Sequence, residues 1–194
     1  RVDTVNEGQE NGLALGTTMP VFRLPSATGE IISSELFSSR ALLVAFICRH
    51  CPFVRHIRSE FSRFAAEYQE RGLAIVAINS NDTVAFPQDG PDGMLQEAKE
   101  AGYTFPYLFD ETQAVAKAFK AACTPDLFLF DARGTLVYRG QFDDSRPRSP
   151  VPVTGADIRA AASAVLLGNP VAANQKPSIG CNIKWTRGNE PDYW

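Results

Sequence analysis

Leu42-Leu43-Val44-Ala45-Phe46-Ile47-Cys48-Arg49-His50-Cys51-Pro52 is the stretch that decides the fold. Its first six residues form an unbroken apolar run, the mark of a strand buried on both faces. Two thiols, Cys48 and Cys51, follow. Beyond them Phe53, Val54, Ile57, Phe61, Phe64, Ala65 and Tyr68 recur at helical spacing, and Gly72 stands where a C-terminal cap belongs. A close thiol pair between a core strand and a helix points to thiol–disulfide chemistry.

Outward from this stretch, strands and helices alternate. Val21-Phe22-Arg23-Leu24 and Ile31-Ile32, joined through Ala27-Thr28-Gly29-Glu30, read as a small hairpin. Residues 73–79 read as a second core strand, and residues 94–101 as a helix stopped by Gly102. Residues 105–109 read as a short extended segment, and residues 112–120 as a helix capped by Asp110-Glu111. Residues 126–130 and 135–139 flank the turn Asp131-Ala132-Arg133-Gly134, a hairpin signal. Thr154 is placed to cap a last helix ending near Leu167. Residues 168–194 are rich in Gly, Pro and Asn and read as an extended tail, held on the domain by Ile179, Ile183, Trp185 and Trp194. The order specifies an α/β fold: a central mixed sheet with a parallel core, helices on both faces and an antiparallel hairpin at one side. The expected organisation is a flexible arm at residues 1–14, one domain at 15–168 and a packed tail at 169–194.

With 194 residues, 44% of them apolar, the chain has enough material for a full core. A net charge of -3 offers no basic field for nucleic acid. No apolar stretch reaches the roughly 20 residues of a membrane span. Residues 1–11 are polar and lack the apolar segment of a secretory signal, so the expected location is cytoplasmic. Four cysteines are too few for a disulfide scaffold; a close pair plus Cys123 and Cys181 fits a redox site better.

Proline indicates which thiol attacks. Pro is favoured at the first helical position, where its missing N–H costs nothing. Pro52 in that position makes Cys51 the N-cap, with its sulfur facing unpaired N–H groups that favour a thiolate. Were Cys48 the N-cap, Pro52 would delete a hydrogen bond inside the helix. Both histidines, His50 and His56, flank the motif, and Arg49, Arg55 and Arg58 add positive charge that lowers a thiol pKa. Arg55 and Arg58 also fit an ordinary solvated helix face. Asn79-Ser80-Asn81-Asp82 follows a core strand at the end where open α/β sheets place their sites.

The motif pair, Ala77-Ile78-Asn79 and Thr124-Pro125-Asp126-Leu127-Phe128-Leu129-Phe130-Asp131 resemble the thioredoxin fold over roughly residues 15–168. Within it the chain is similar to the redoxin branch, alkyl hydroperoxide reductase–thiol-specific antioxidant proteins, which includes peroxiredoxins and membrane-anchored thiol reductases. The tail, residues 177–185, looks like that of a peroxiredoxin-like bacterial subgroup. The resemblance implies that Thr124-Pro125 is a cis-proline loop that faces the thiols and binds extended substrate. The family's usual roles make the first Cys the attacker. A gapless match of His50-Cys51-Pro52-Phe53-Val54-Arg55 to the thioredoxin window instead puts Cys51 there, with Val54 at the second Cys position. Departures are the Arg49-His50 pair inside the motif, the absence of a Trp before Cys48, and the absence of the peroxiredoxin Pro-x-x-x-Thr/Ser-x-x-Cys pattern. Its Thr position holds Cys48 or Ala45, depending on alignment.

The expected function is a thiol–disulfide oxidoreductase, with Cys51 attacking and Cys48 as its partner through a mixed disulfide. His50, Arg49 and Arg55 are its expected supporting residues. The alternative is a peroxiredoxin-like peroxidase using the same thiols through a sulfenic acid. Cys123 and Cys181 are each either a third thiol or a packed side chain, with packing favoured. The expected partners are a protein or small-molecule disulfide, or a hydroperoxide, and a reductant such as thioredoxin or glutathione. No cofactor motif is visible, and a metal module built on Cys48, His50, Cys51 and Cys181 lacks a second ligand pair at zinc-finger spacing. A fold with inert thiols is the non-enzymatic alternative.

Overall fold

In the computed structural model, which describes residues 12–193, the elements run β1 (Arg23–Pro25), β2 (Ile31–Ser33), β3 (Leu42–Phe46), α1 (Pro52–Glu70), β4 (Ala74–Asn79), α2 (Pro91–Ala101), β5 (Tyr107–Phe109), α3 (Ala114–Phe119), β6 (Cys123–Thr124), β7 (Asp126–Phe130), β8 (Leu136–Gly140), α4 (Ala156–Leu166) and β9 (Cys181–Asn182). The expected flexible arm falls largely on residues 1–11, outside the described residues, as does Trp194. No helix among the described residues is long and apolar enough to cross a membrane.

Five strands form the central sheet in the order β5-β4-β3-β7-β8. The β3–β4 and β4–β5 pairs are parallel, and β3–β7 and β7–β8 antiparallel. All five residues of β3 are buried, because the strand is central and covered on both faces. Its side chains alternate between two cores. Leu43 and Ala45 join Val54, Ile57, Phe61 and Phe64 of α1, Met94 of α2 and Ile158 and Ala162 of α4. Leu42, Val44 and Phe46 join the opposite core around α3, where the Phe119 ring packs on Phe22, Phe46, Phe128 and Phe130.

Helix ends follow local chemistry. Helix α1 starts with Pro52 in its first turn and Cys51 as N-cap. The Asp110 carboxylate accepts from the Val115 and Ala116 N–H groups, so α3 begins slightly later than its apolar pattern. The N-cap of α4 is Gly155 in a left-handed conformation, not Thr154 as the sequence suggests; Thr154, one residue earlier, accepts from the Ala156 N–H at 3.2 Å.

The tail is woven into the domain. Ser178 Oγ donates to the Gly140 carbonyl, and the Lys184 N–H donates to Asn81 Oδ1. Between these anchors β9 pairs antiparallel with β6 in the register Cys123↔Asn182 and Thr124↔Cys181. Ile183 is buried in the α3-side core, and Trp185 packs against it. The close approach needs Gly180: a Cβ there would lie 2.0 Å from the Thr124 carbonyl oxygen. Gly180→Ala is expected to cost about 1–3 kcal/mol by overpacking. For a chain of this size that is a fall of roughly 2–12 °C in Tm. An unchanged Tm in calorimetry would show that the tail does not hold this course in solution.

Candidate active site

Three segments converge above the C-terminal end of β3: the loop from Cys48 to Cys51, the Thr124-Pro125 corner and the β9 strand of the tail. The Thr124–Pro125 bond is cis. All four cysteines are buried free thiols. Cys51 takes an extended backbone conformation (φ -67°, ψ 123°) as the N-cap of α1, which leaves its sulfur at the N-terminal end of the helix without a capping hydrogen bond. Its Sγ lies 3.3 Å from the Thr124 carbonyl oxygen and 2.7 Å from Cys181 Sγ. On the other side Cys48 Sγ lies 3.6 Å from Thr124 Oγ1.

These neighbours separate the three thiols electrostatically. The Cys51 thiol is held far below its ordinary pKa because the Cys181 and Cys48 thiols donate to it, helped by the Thr124 hydroxyl and the Val54 N–H. Burial and the Thr124 carbonyl favour the thiol form, but the donors around this sulfur outweigh them. Cys48 moves the opposite way: donating to Cys51, burial, and the nearby charges of Cys51 and Asp89 push its pKa up. Cys181 is pushed up by donating to Cys51 and by burial. Anionic Cys51 between two protonated thiols is the consistent state.

His50, inside the motif, pairs with a residue the sequence did not single out. Its Nδ1 lies 2.7 Å from Asp89 Oδ1, and its ring stacks on Phe86 at 5.8 Å. With a carboxylate as acceptor, Nδ1 carries the proton and Nε2 is free to take another. Asp89 is fully buried. Asn81 Nδ2 donates to its Oδ2 at 3.0 Å, and Asn79 Nδ2 donates to its carbonyl. Cys48, His50 and Asp89 bring one sulfur, one nitrogen and one oxygen within 4.8 Å of one another. Three donors fall short of a closed tetrahedral set, and both Asp89 oxygens already accept hydrogen bonds, so the cluster fits proton transfer better than ion binding. No sequence signal marks Asp89, which sits in a turn 39 residues from His50.

The remaining expected residues scatter. Arg49 offers its carbonyl to Arg58 Nη2 at 2.6 Å, and Arg58 also faces buried Glu97 at 3.6 Å. Arg55 is exposed on α1, and His56 Nε2 pairs with Ser145 Oγ at 2.7 Å. Neither Arg49, Arg55 nor Arg58 hydrogen-bonds a motif sulfur, so the thiolate relies on short-range donors. Cys123 is buried with its Sγ 3.6 Å from the Pro125 carbonyl, and burial pushes its pKa up. The third thiol in contact with the pair is Cys181.

The AhpC/TSA family matches residues 15–139. A hypothetical protein from Sinorhizobium meliloti 1021 is 51% identical, with 96% of this chain and 99% of that one covered and a TM-score of 0.88. An uncharacterized conserved protein from Geobacillus kaustophilus is 52% identical, with 89% and 93% covered and a TM-score of 0.87. A secreted Mycobacterium tuberculosis disulfide oxidoreductase, 14% identical with 74% and 95% covered, shares the fold at a TM-score of 0.59. The chain thus has the thioredoxin-like fold expected from its sequence. No curated protein matches it.

The opposed pKa directions have a direct readout. Cys51 is expected to react with iodoacetamide at a rate nearly independent of pH between 6 and 8, whereas the Cys48 rate rises about tenfold per pH unit. Peptide-resolved alkylation measures both. A tenfold rise per unit at Cys51, or faster alkylation of Cys48 than of Cys51 at neutral pH, would overturn the assignment.

Proposed function

Because the chain belongs to the AhpC/TSA family of thioredoxin-like redoxins, we propose that it is a thiol–disulfide oxidoreductase with Cys51 as attacking thiol and Cys48 as resolving thiol. The placement of Cys51 carries this reading: one sulfur at a helix N-terminus, facing the cis-proline corner, with protonated thiols beside it. The Cys51 thiolate attacks one sulfur of a substrate disulfide, the substrate S–S bond breaks, and a thiolate leaves. The Cys48 thiol then gives up its proton and attacks Cys51 Sγ, closing a Cys48–Cys51 disulfide and releasing the second substrate thiol. Two protein thiols are oxidised, and one disulfide becomes two thiols.

Cys48 needs a base for the second step, since its pKa is raised. His50 supplies it: a ring nitrogen lies within 4.8 Å of Cys48 Sγ, and Asp89, paired with Nδ1, stabilises the resulting imidazolium. A thiol reductant, glutathione or a thioredoxin-type dithiol, returns the pair to its reduced form.

A peroxidase is the second reading. Family membership favours it, and so does the Thr124 hydroxyl, which the fold brings to Cys48 although no Thr occupies the peroxiredoxin position in sequence. Turnover of a disulfide substrate and of hydrogen peroxide under the same thiol reductant separates the two. Disulfide turnover is expected to dominate and to vanish in Cys51→Ser; dominant peroxide consumption would reverse the order. Asp89→Asn is expected to slow intramolecular disulfide closure about 10²-fold while leaving Cys51 alkylation unchanged. Stopped-flow thiol release checks the first effect, and a closure rate equal to wild type would remove His50–Asp89 from the mechanism.

A further inference from the structure

Cys181 is 130 residues from Cys51 in sequence, yet their sulfurs lie 2.7 Å apart. The approach is built by backbone pairing. Strand β9 is fixed on β6 with Thr124 opposite Cys181, and the Ile183 N–H donates to the Ala122 carbonyl at 3.1 Å. Lys184 is held from both sides: its N–H by Asn81 Oδ1, and its carbonyl by the Asp82 N–H and Gln113 Nε2. Glycine at position 180 lets the tail touch the Thr124 carbonyl. The strand edge beside the attacking thiol, which an incoming extended chain would use, is therefore occupied by the protein's own tail. That tail presents a cysteine to Cys51.

We propose that Cys181 is a second resolving thiol, so that Cys51 exchanges between two intramolecular disulfides, one with Cys48 and one with Cys181. The proposal rests on Cys51 as the attacking group. After Cys51 attacks a small disulfide RSSR, the first RS⁻ leaves and Cys51–S–S–R remains. The Cys181 thiol loses its proton to the departing thiolate and attacks Cys51 Sγ. The disulfide bond between Cys51 Sγ and the RS sulfur breaks, the Cys51–Cys181 bond forms, and the second RS⁻ departs and takes up from water the proton that Cys51 released on becoming a thiolate. The sum is two protein thiols plus RSSR giving one protein disulfide plus two RSH. A reducing thiol reverses the sequence. Because the edge of β6 is filled, the substrate class is small disulfides, glutathione disulfide being the representative, in preference to extended polypeptide.

Trypsin puts every cysteine on its own peptide: Cys48 in 41–49, Cys51 in 50–55, Cys123 in 121–133 and Cys181 in 160–184. Full-length Cys48→Ala is treated with glutathione disulfide, quenched in acid with N-ethylmaleimide, digested without reduction and mapped by mass spectrometry. Most of the 50–55 peptide is expected linked to 160–184, with two thiols lost. Cys48→Ala/Cys181→Ala is expected to stop at a Cys51–glutathione adduct, and Cys181→Ala to link 41–49 with 50–55. A stable Cys51–glutathione adduct in Cys48→Ala, with Cys181 alkylated, overturns the role of Cys181 while leaving Cys51 as attacker. Cys51 unmodified in every variant overturns both assignments. Cys48→Ser repeats the test if alanine prevents folding.

Discussion

The antiparallel pairing of β3 with β7, in the register Phe46↔Asp126, is the constraint from which the site follows. It places the loop leaving β3 and the corner entering β7 at the same end of the sheet. Cys48 and Thr124, 76 residues apart, meet there as a result. The register is enforced by burial on both faces. A one-residue slip would exchange Leu43 and Ala45 with Leu42, Val44 and Phe46 between two differently shaped cores. The site therefore borrows its precision from the packing of the whole sheet.

Charge is handled within a few ångströms. Three sulfurs share one negative charge, which rests on Cys51 because the Cys181 and Cys48 thiols both donate to it. Its partners keep their protons and donate. Burial adds to this by pushing the Cys48 and Cys181 thiols up. In a weakly polar interior, donors at this range act more strongly than the distant guanidinium groups of an exposed helix face.

The loop after β4 ties the pieces together. Asn79 and Asn81 hold Asp89, which orients His50, while Asn81 also receives the tail through the Lys184 N–H. One short polar segment thus sets both the orientation of the His50 ring and the strand carrying Cys181. It lies at the C-terminal end of a core strand, where parallel connections leave a crevice.

Local rules were enough to read much of this from the amino-acid order. The run from Leu42 to Ile47 determined a central strand, the spacing after Pro52 determined a helix and its inner face, and the chemistry of proline put Cys51 at the N-cap. These features depend on neighbours within a turn or a pleat, so the sequence carries them in its periodicity. The contact of Cys51 with Cys181, the pairing of His50 with Asp89 and the diversion of Arg58 to Glu97 depend on groups up to 130 residues apart. Nothing in local spacing encodes them. A cysteine in a Gly- and Pro-rich tail reads as a packed side chain until backbone pairing with β6 fixes where its sulfur points, and only the folded sheet supplies that edge.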